Sequence, residues 1–152
     1  MVNSECQESK IQNYGILTLP LKSILTSSGD VANTVVKAVK SVKSQPVIIA
    51  TSSTGILSTA NKLPLLLKPL YKILLAEAHV DKINMENAIA DNLSKWVIVR
   101  GALYTNGKKK GEYRTGEMEV GYTISRRDVA DFIVRECLNG EKWIGKRPVV
   151  VY

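Results

Sequence analysis

Two short apolar runs, VIIA at 47–50 and WVIV at 96–99, constrain the fold of this chain more than any other feature. Pro46 and Ser52-Ser53-Thr54-Gly55 bound the first, and Arg100-Gly101 follows the second. A run with no polar alternation has no face to offer water, so each reads as a strand buried on both sides. Helical patterns lie beside them. From Asp30, the residues Val31, Val35, Val39 and Val42 recur at intervals of four and three, and 77–90 is helical again. Ser28 or Asp30 is placed to cap the first helix, and Lys37, Lys40 and Lys43 load its C-terminal end, where they suit the dipole. Alternating buried strands and helices predict an α/β fold, a mainly parallel sheet with flanking helices.

The rest of the chain is patterned unevenly. Residues 1–28 are weakly patterned, with Gly15, Pro20 and TSSGD breaking any regular element, so the domain is expected to begin at residue 29 and run to 152. Pro64 and Pro69 divide LPLLLKPLYKILL into a loop and a short helix. After WVIVRG, the glycines at 107, 111 and 116 punctuate a polar excursion in which GEYR reads as an edge strand. Residues 121–124 form a short strand, and Ser125 opens a helix with Asp128 completing an acidic analogue of the capping box. Val129, Phe132, Ile133 and Cys137 share the apolar face of that helix, and PVVVY is a terminal strand.

Composition narrows the function classes. At 152 residues the chain supports one domain with a real core, and 45% apolar with 23% charged residues excludes global disorder. The longest apolar stretch, 63–78, is interrupted by Pro64, Lys68, Pro69, Lys72 and Glu77, so no run of ~20 residues is suited to a bilayer. The polar start MVNSECQESK lacks the apolar centre of a signal peptide, which points to the cytoplasm. Cys6 and Cys137 read as free thiols rather than a disulfide, and with His79 the sole histidine no metal site is expected. The net charge of +7 favours phosphorylated ligands, yet only Lys108-Lys109-Lys110 forms a run, and it reads as a solvated loop tip. With no aromatic stacking platform, nucleic acid is not the expected partner.

Ligands of open α/β sheets bind beyond the carboxyl ends of the strands. One such end is 51–55, where Ser52 and Ser53 offer hydroxyls and amides to a carbonyl, ribose or phosphate; the alternative is a polar exit with satisfied hydroxyls. The other is Arg100-Gly101-Ala102. A buried Arg needs an acceptor, either a ligand anion or a structural carboxylate such as Asp128 or Asp131. On the second helix His79, Lys82 and Glu86 share a face; Lys82 suits a ribose hydroxyl and His79 proton transfer near neutral pH. The alternative is surface charge with a Lys82–Glu86 pair.

Taken in order, VIIATSSTG, AHVDKINMENAI, WVIVRGALYTNG and TISRRDVADFIV resemble the atypical short-chain dehydrogenase/reductases. The nearest group is the NAD(P)H-binding, NmrA-like one that includes biliverdin reductase B (flavin reductase), and the likeness covers roughly residues 29–152. It implies the C-terminal half of a Rossmann-like domain using NADPH or NADH. In its terms Ser52 is the active-site hydroxyl, Lys82 the lysine of the Tyr-x-x-x-Lys motif, and Arg100 to Leu103 the loop on the nicotinamide side. Residues 125–128 pack over that loop.

Three departures stand out. Ala78 occupies the place of the motif's tyrosine, Gly101 replaces the usual proline after the arginine, and residues 1–30 contain no G-x-x-G-x-x-G turn for the pyrophosphate. Aligned this way, the chain starts after the family's fourth strand, and Met1 opens a truncated product or a fragment. The implied function is hydride transfer to a small carbonyl or flavin-like acceptor, with Ser52, Lys82 and His79 catalytic. Ser52, Ser53, Lys82, Arg100, Gly101 and Ala102 would bind the cofactor, weakly or not at all in this chain. The alternative is a non-catalytic regulatory or interaction module that pairs with itself or with a partner supplying the missing half.

Overall fold

The computed structural model describes residues 14–17, 28–56 and 76–152, with the side chains of 14–17, 76 and 77 left out. Five strands form one sheet in the order β1 (Tyr14–Leu17), β2 (Val47–Ser53), β3 (Trp96–Gly101), β7 (Val149–Val151) and β5 (Arg114–Gly116). The first four run parallel, and β5 closes the edge antiparallel to β7. A separate parallel pair joins β4 (Leu103–Thr105) to β6 (Thr123–Ser125). The helices are α1 (Ser28–Ser41), α2 (Ala76–Asn92) and α3 (Arg126–Phe132), which continues into a π-helical turn over Ile133–Cys137.

Strand alternation divides the core into two layers. Ile48 and Ala50 of β2 with Trp96 and Ile98 of β3 meet Ala32, Val36 and Val39 of α1 and Met85 and Ile89 of α2. On the opposite face Ile49, Val97 and Val99 meet Val129, Phe132, Ile133, Cys137 and Trp143. All six residues of β3 are buried, which is why its sequence shows no polar alternation. Phe132 anchors the second layer, edge-on to Tyr113 at 6.3 Å and to Trp143 at 5.8 Å between ring centroids. The expected face of Val129, Phe132, Ile133 and Cys137 is wholly buried. Burial also pushes the Cys137 thiol up to about 12, so it stays a protonated, unreactive free thiol.

Several local expectations change. Segment 1–28 supplies β1, pairing Gly15 with Ile48 in register. A short parallel strand needs only a matched backbone ladder, and the glycine does not prevent it. The edge strand forms at Arg114–Gly116 rather than over GEYR, and β4 lies where a plain loop was expected. Neither Ser28 nor Asp30 supplies the cap of α1; instead the Asp81 carboxylate of α2 accepts from the Ser28 and Gly29 amides at 3.1 and 3.0 Å. The expected loop and helix around Pro64 and Pro69, and Cys6, lie outside the described residues. Among the described residues no helix is long and apolar enough to cross a membrane.

Phe132→Ala is expected to cost about 3–5 kcal/mol, whereas Val134→Ala, 52% exposed on the same turn, is expected to stay within about 0.5 kcal/mol. Urea unfolding midpoints at constant slope measure both.

Candidate functional site at the strand ends

The carboxyl ends of β2 and β3 lie side by side, Ser52 opposite Arg100 and Ser53 opposite Gly101. Past the ladder, the Thr54 amide donates to the Gly101 carbonyl at 2.8 Å. By strand alternation Ser52 and Arg100 face the α1–α2 layer, together with Ala50 and Ile98. Ser52 is 1% exposed, yet its Oγ has no hydrogen-bond partner among the described residues. An unmet buried hydroxyl is costly, which marks this strand end as the candidate site. Trp143 Nε1 is the other buried side-chain polar atom without a partner among the described residues.

Arg100 is held differently from the ligand-binding expectation. Its Nε donates to Glu86 Oε1 at 3.0 Å and its NH2 to Oε2 at 2.5 Å, with both side chains fully buried. Arg147 adds a third bond to Oε2 at 3.1 Å. The guanidinium therefore serves structure, and its carboxylate is Glu86 of α2 rather than Asp128 or Asp131. The pairing also redirects the expected Lys82–Glu86 contact, because Glu86 turns inward between Met85 and Ile89. Glu86 lies one turn before Ile89 and Arg100 lies in phase with Trp96 and Ile98, so spacing turns both inward, but it does not name them as partners.

Lys82 instead donates from Nζ to Ser28 Oγ at 3.5 Å, at the N-terminus of α1. Burial lowers its ammonium pKa, against the opposing pull of Asp81 and Glu86. Burial likewise lowers the His79 imidazole, which leaves it neutral at pH 7. α1 ends just before β2 begins, so its N-terminus overlies the carboxyl side of the sheet. Asp81 already occupies the first amides there, and that helix end is closed to a phosphate.

Gly101 and Ala102 are buried behind the strand end, and a residue absent from the sequence-based set joins them. Tyr104 donates its hydroxyl to the Ser52 carbonyl at 2.5 Å and accepts from the Gly101 amide at 3.0 Å. Burial raises its pKa well above the usual phenol value, against the Gly101 bond and the Arg126 charge, so it remains a neutral donor.

A second polar cluster secures the segment over the site. Asp128, fully buried, accepts from Ser125 Oγ at 2.6 Å, Tyr152 Oη at 2.5 Å and the amides of Lys110 and Gly111 at 3.1 and 2.8 Å. Ser125 Oγ in turn accepts from the Asp128 amide at 3.0 Å, completing the expected cap. Burial would raise the Asp128 carboxyl, but these donors hold it far below the usual carboxylate range. The lysine run is tied down rather than merely solvated: Lys109 bonds Asp131, and Lys110 lies 3.8 Å from the Tyr152 ring centroid.

With this geometry in view, the relatives are informative. The profile of the NAD(P)H-binding family matches residues 15–139. The chain belongs to this NAD(P)H-binding family. Reductase pytE of Aspergillus terreus is 31% identical over 165 residues, covering 90% of this chain and 63% of that reductase. A short-chain dehydrogenase/reductase from Veillonella parvula, solved in complex with NADP, superposes with a TM-score of 0.75 at 16% identity, over 96% of this chain and 65% of that one. ChuY, an anaerobillin reductase from Escherichia coli O157:H7, gives 0.72 at 16% identity, over 91% and 63%.

The chain thus spans under two thirds of the length of these three proteins. The expected NAD(P)H-binding family and the partial Rossmann-like sheet both hold. The NAD(P)H family's ligand also fits the residues present in one respect. The unpaired Ser52 hydroxyl suits a carboxamide or carbonyl at the nicotinamide end. The closed α1 terminus does not suit the pyrophosphate.

Removing one partner of the buried pair strands a charge. Arg100→Ala or Glu86→Ala is expected to destabilise by about 3–5 kcal/mol, read from denaturant unfolding. Because the Asp128 pKa is depressed in the folded protein, its contribution is present above the unfolded value and lost as pH falls below about 4. Thermal melts between pH 3 and 7 are expected to lose stability at the acid end, and Asp128→Asn is expected to shrink that loss.

Proposed function

We propose that this chain forms the nicotinamide side of an NAD(P)H-dependent reductase site at the ends of β2 and β3. The observation that carries this reading is the Ser52 hydroxyl, buried and without a partner among the described residues, at a strand end of an NAD(P)H-binding fold. Bound NAD(P)H supplies a hydride. Ser52 donates a hydrogen bond to the carbonyl of a small carbonyl or flavin-like acceptor, stabilising the charge that develops on its oxygen. Lys82 offers its ammonium to a ribose hydroxyl near the start of α1. His79, its pKa lowered by burial, would take a proton from solvent and pass it to the alkoxide left by hydride addition. Ser53 and Ala102 line the cofactor's edge through their backbone. Gly101, whose amide and carbonyl are bonded to Tyr104 and Thr54, leaves room there by its lack of a side chain, and Arg100 acts from behind by fixing β3 against α2.

The sequence of this chain has no G-x-x-G-x-x-G turn, and the Ser28 and Gly29 amides of α1 are taken by Asp81. The chain by itself is therefore expected to hold the dinucleotide weakly. Ala78, in place of the motif's tyrosine, favours a second reading, a non-catalytic module that senses nucleotide or pairs with another chain. A strictly monomeric sedimentation profile would count against the pairing form of that reading.

Calorimetric titration of the chain with NADPH is expected to show no micromolar binding, and such binding would overturn the weak-site expectation. In an NMR titration at millimolar NADPH, amide shifts are expected at 52–54, 82 and 101–102, and to be lost in Ser52→Ala. Shifts elsewhere only would refute the site.

A further inference from the structure

Tyr104 ties together the last residues of two adjacent strands. A parallel ladder leaves backbone groups unpaired where it ends, and unpaired groups let the strand end fray. At the end of β2 the Ser52 carbonyl takes its hydrogen bond from the Tyr104 hydroxyl, and the same hydroxyl accepts from the Gly101 amide of β3. The phenol oxygen thus replaces a backbone rung between Ser52 and Gly101, directly opposite Ser53 in register. Tyr104 is itself fixed by its place on β4, paired with Ile124, and by Arg126, whose guanidinium bonds Asn106 Oδ1 at 2.7 Å and lies over the ring.

This arrangement depends on glycine at 101. A Cβ there would stand 2.5 Å from Tyr104 Cζ and 2.7 Å from its hydroxyl oxygen, inside any tolerable contact. Proline, which the family resemblance leads one to expect, would add a ring and also remove the N–H that the phenol accepts. Gly101 and Tyr104 are therefore one device.

We infer that Tyr104 is a positioning residue for Ser52: it locks the Ser52 peptide at the strand end and so holds the Ser52 hydroxyl in one orientation toward the ligand. Nothing among the described residues bonds that hydroxyl, so its direction is set through its own backbone. The inference rests on the reading of Ser52 as the ligand-facing group given above. Tyr104 itself touches no reacting atom in this account. Because it rides on the segment that Asp128 secures, a shift of that segment would be felt at Ser52.

The test is Tyr104→Phe in the full chain, labelled with 13C and 15N. Exchange of the Gly101 amide is expected to quicken roughly five- to tenfold, as for loss of one ordinary hydrogen bond. The Ser52 carbonyl carbon is expected to shift, and the Ser52 Hα–Hβ couplings to change from one rotamer to an average. Leu93, at the far end of the layer, is expected to keep its exchange rate, which a general loosening would not allow. Gly101→Ala, which displaces the same ring from the other side, is expected to give the same Ser52 signature.

Unchanged Ser52 couplings and Gly101 exchange in both variants would overturn the inference. Equal perturbation of Ser52 by millimolar NADPH in parent and Tyr104→Phe would do so too. If NADPH moves nothing in the parent while Tyr104→Phe still frees Ser52, the ligand reading fails and the positioning role stands.

Discussion

The buried ion pair between Arg100 and Glu86 is the constraint on which the rest of this structure depends. Two charges withdrawn from water are tolerated only where geometry and additional bonds compensate. Here the guanidinium meets the carboxylate through two donors, and Arg147 adds a third. The pair therefore specifies one distance and one rotation of α2 against β3, more narrowly than apolar packing between Ile89 and Ile98 alone would. That rotation presents Asp81 to the start of α1 and places Lys82 beside Ser28. One interior contact thus sets the arrangement of the polar groups at the carboxyl side of the sheet.

The polar groups around the strand ends divide by how completely they are satisfied. Asp81, Asp128 and the Arg100–Glu86 pair are each surrounded by donors or acceptors within the chain, and they hold elements together. Ser52 alone of these groups keeps a buried polar atom without a partner among the described residues. That contrast is what sets Ser52 apart as the candidate ligand-facing group. Asp128 shows the structural kind: four donors from three separate segments converge on it, so the 106–111 loop, the start of α3 and Tyr152 move as one unit.

Much of this was legible in the sequence. The strands VIIA and WVIV and the α3 face from Val129 to Cys137 arise from local periodicity, and each is found where the spacing puts it. α1 forms as well, but its core face is Ala32, Val36 and Val39 rather than Val31, Val35, Val39 and Val42, and Val42 is exposed beyond its end. The partner of Arg100 was misread because a contact spanning two elements depends on the register of α2 against β3, which no spacing rule encodes. Tyr104 was missed for a related reason. A tyrosine three residues beyond a strand looks like loop until the chain turns back and brings its hydroxyl to the strand end.

The sequence by itself determined the fold class, the two-faced burial of the central strands, the capped start of α3 and the family to which the chain belongs. These follow from hydrophobic periodicity and short motifs, which act over one or two turns of chain. Tertiary structure alone decided which polar side chains are spent on one another. Hydrogen-bond satisfaction is a property of what meets in space, and Glu86 with Arg100 or Tyr104 with Ser52 meet only after the sheet and its helices have closed.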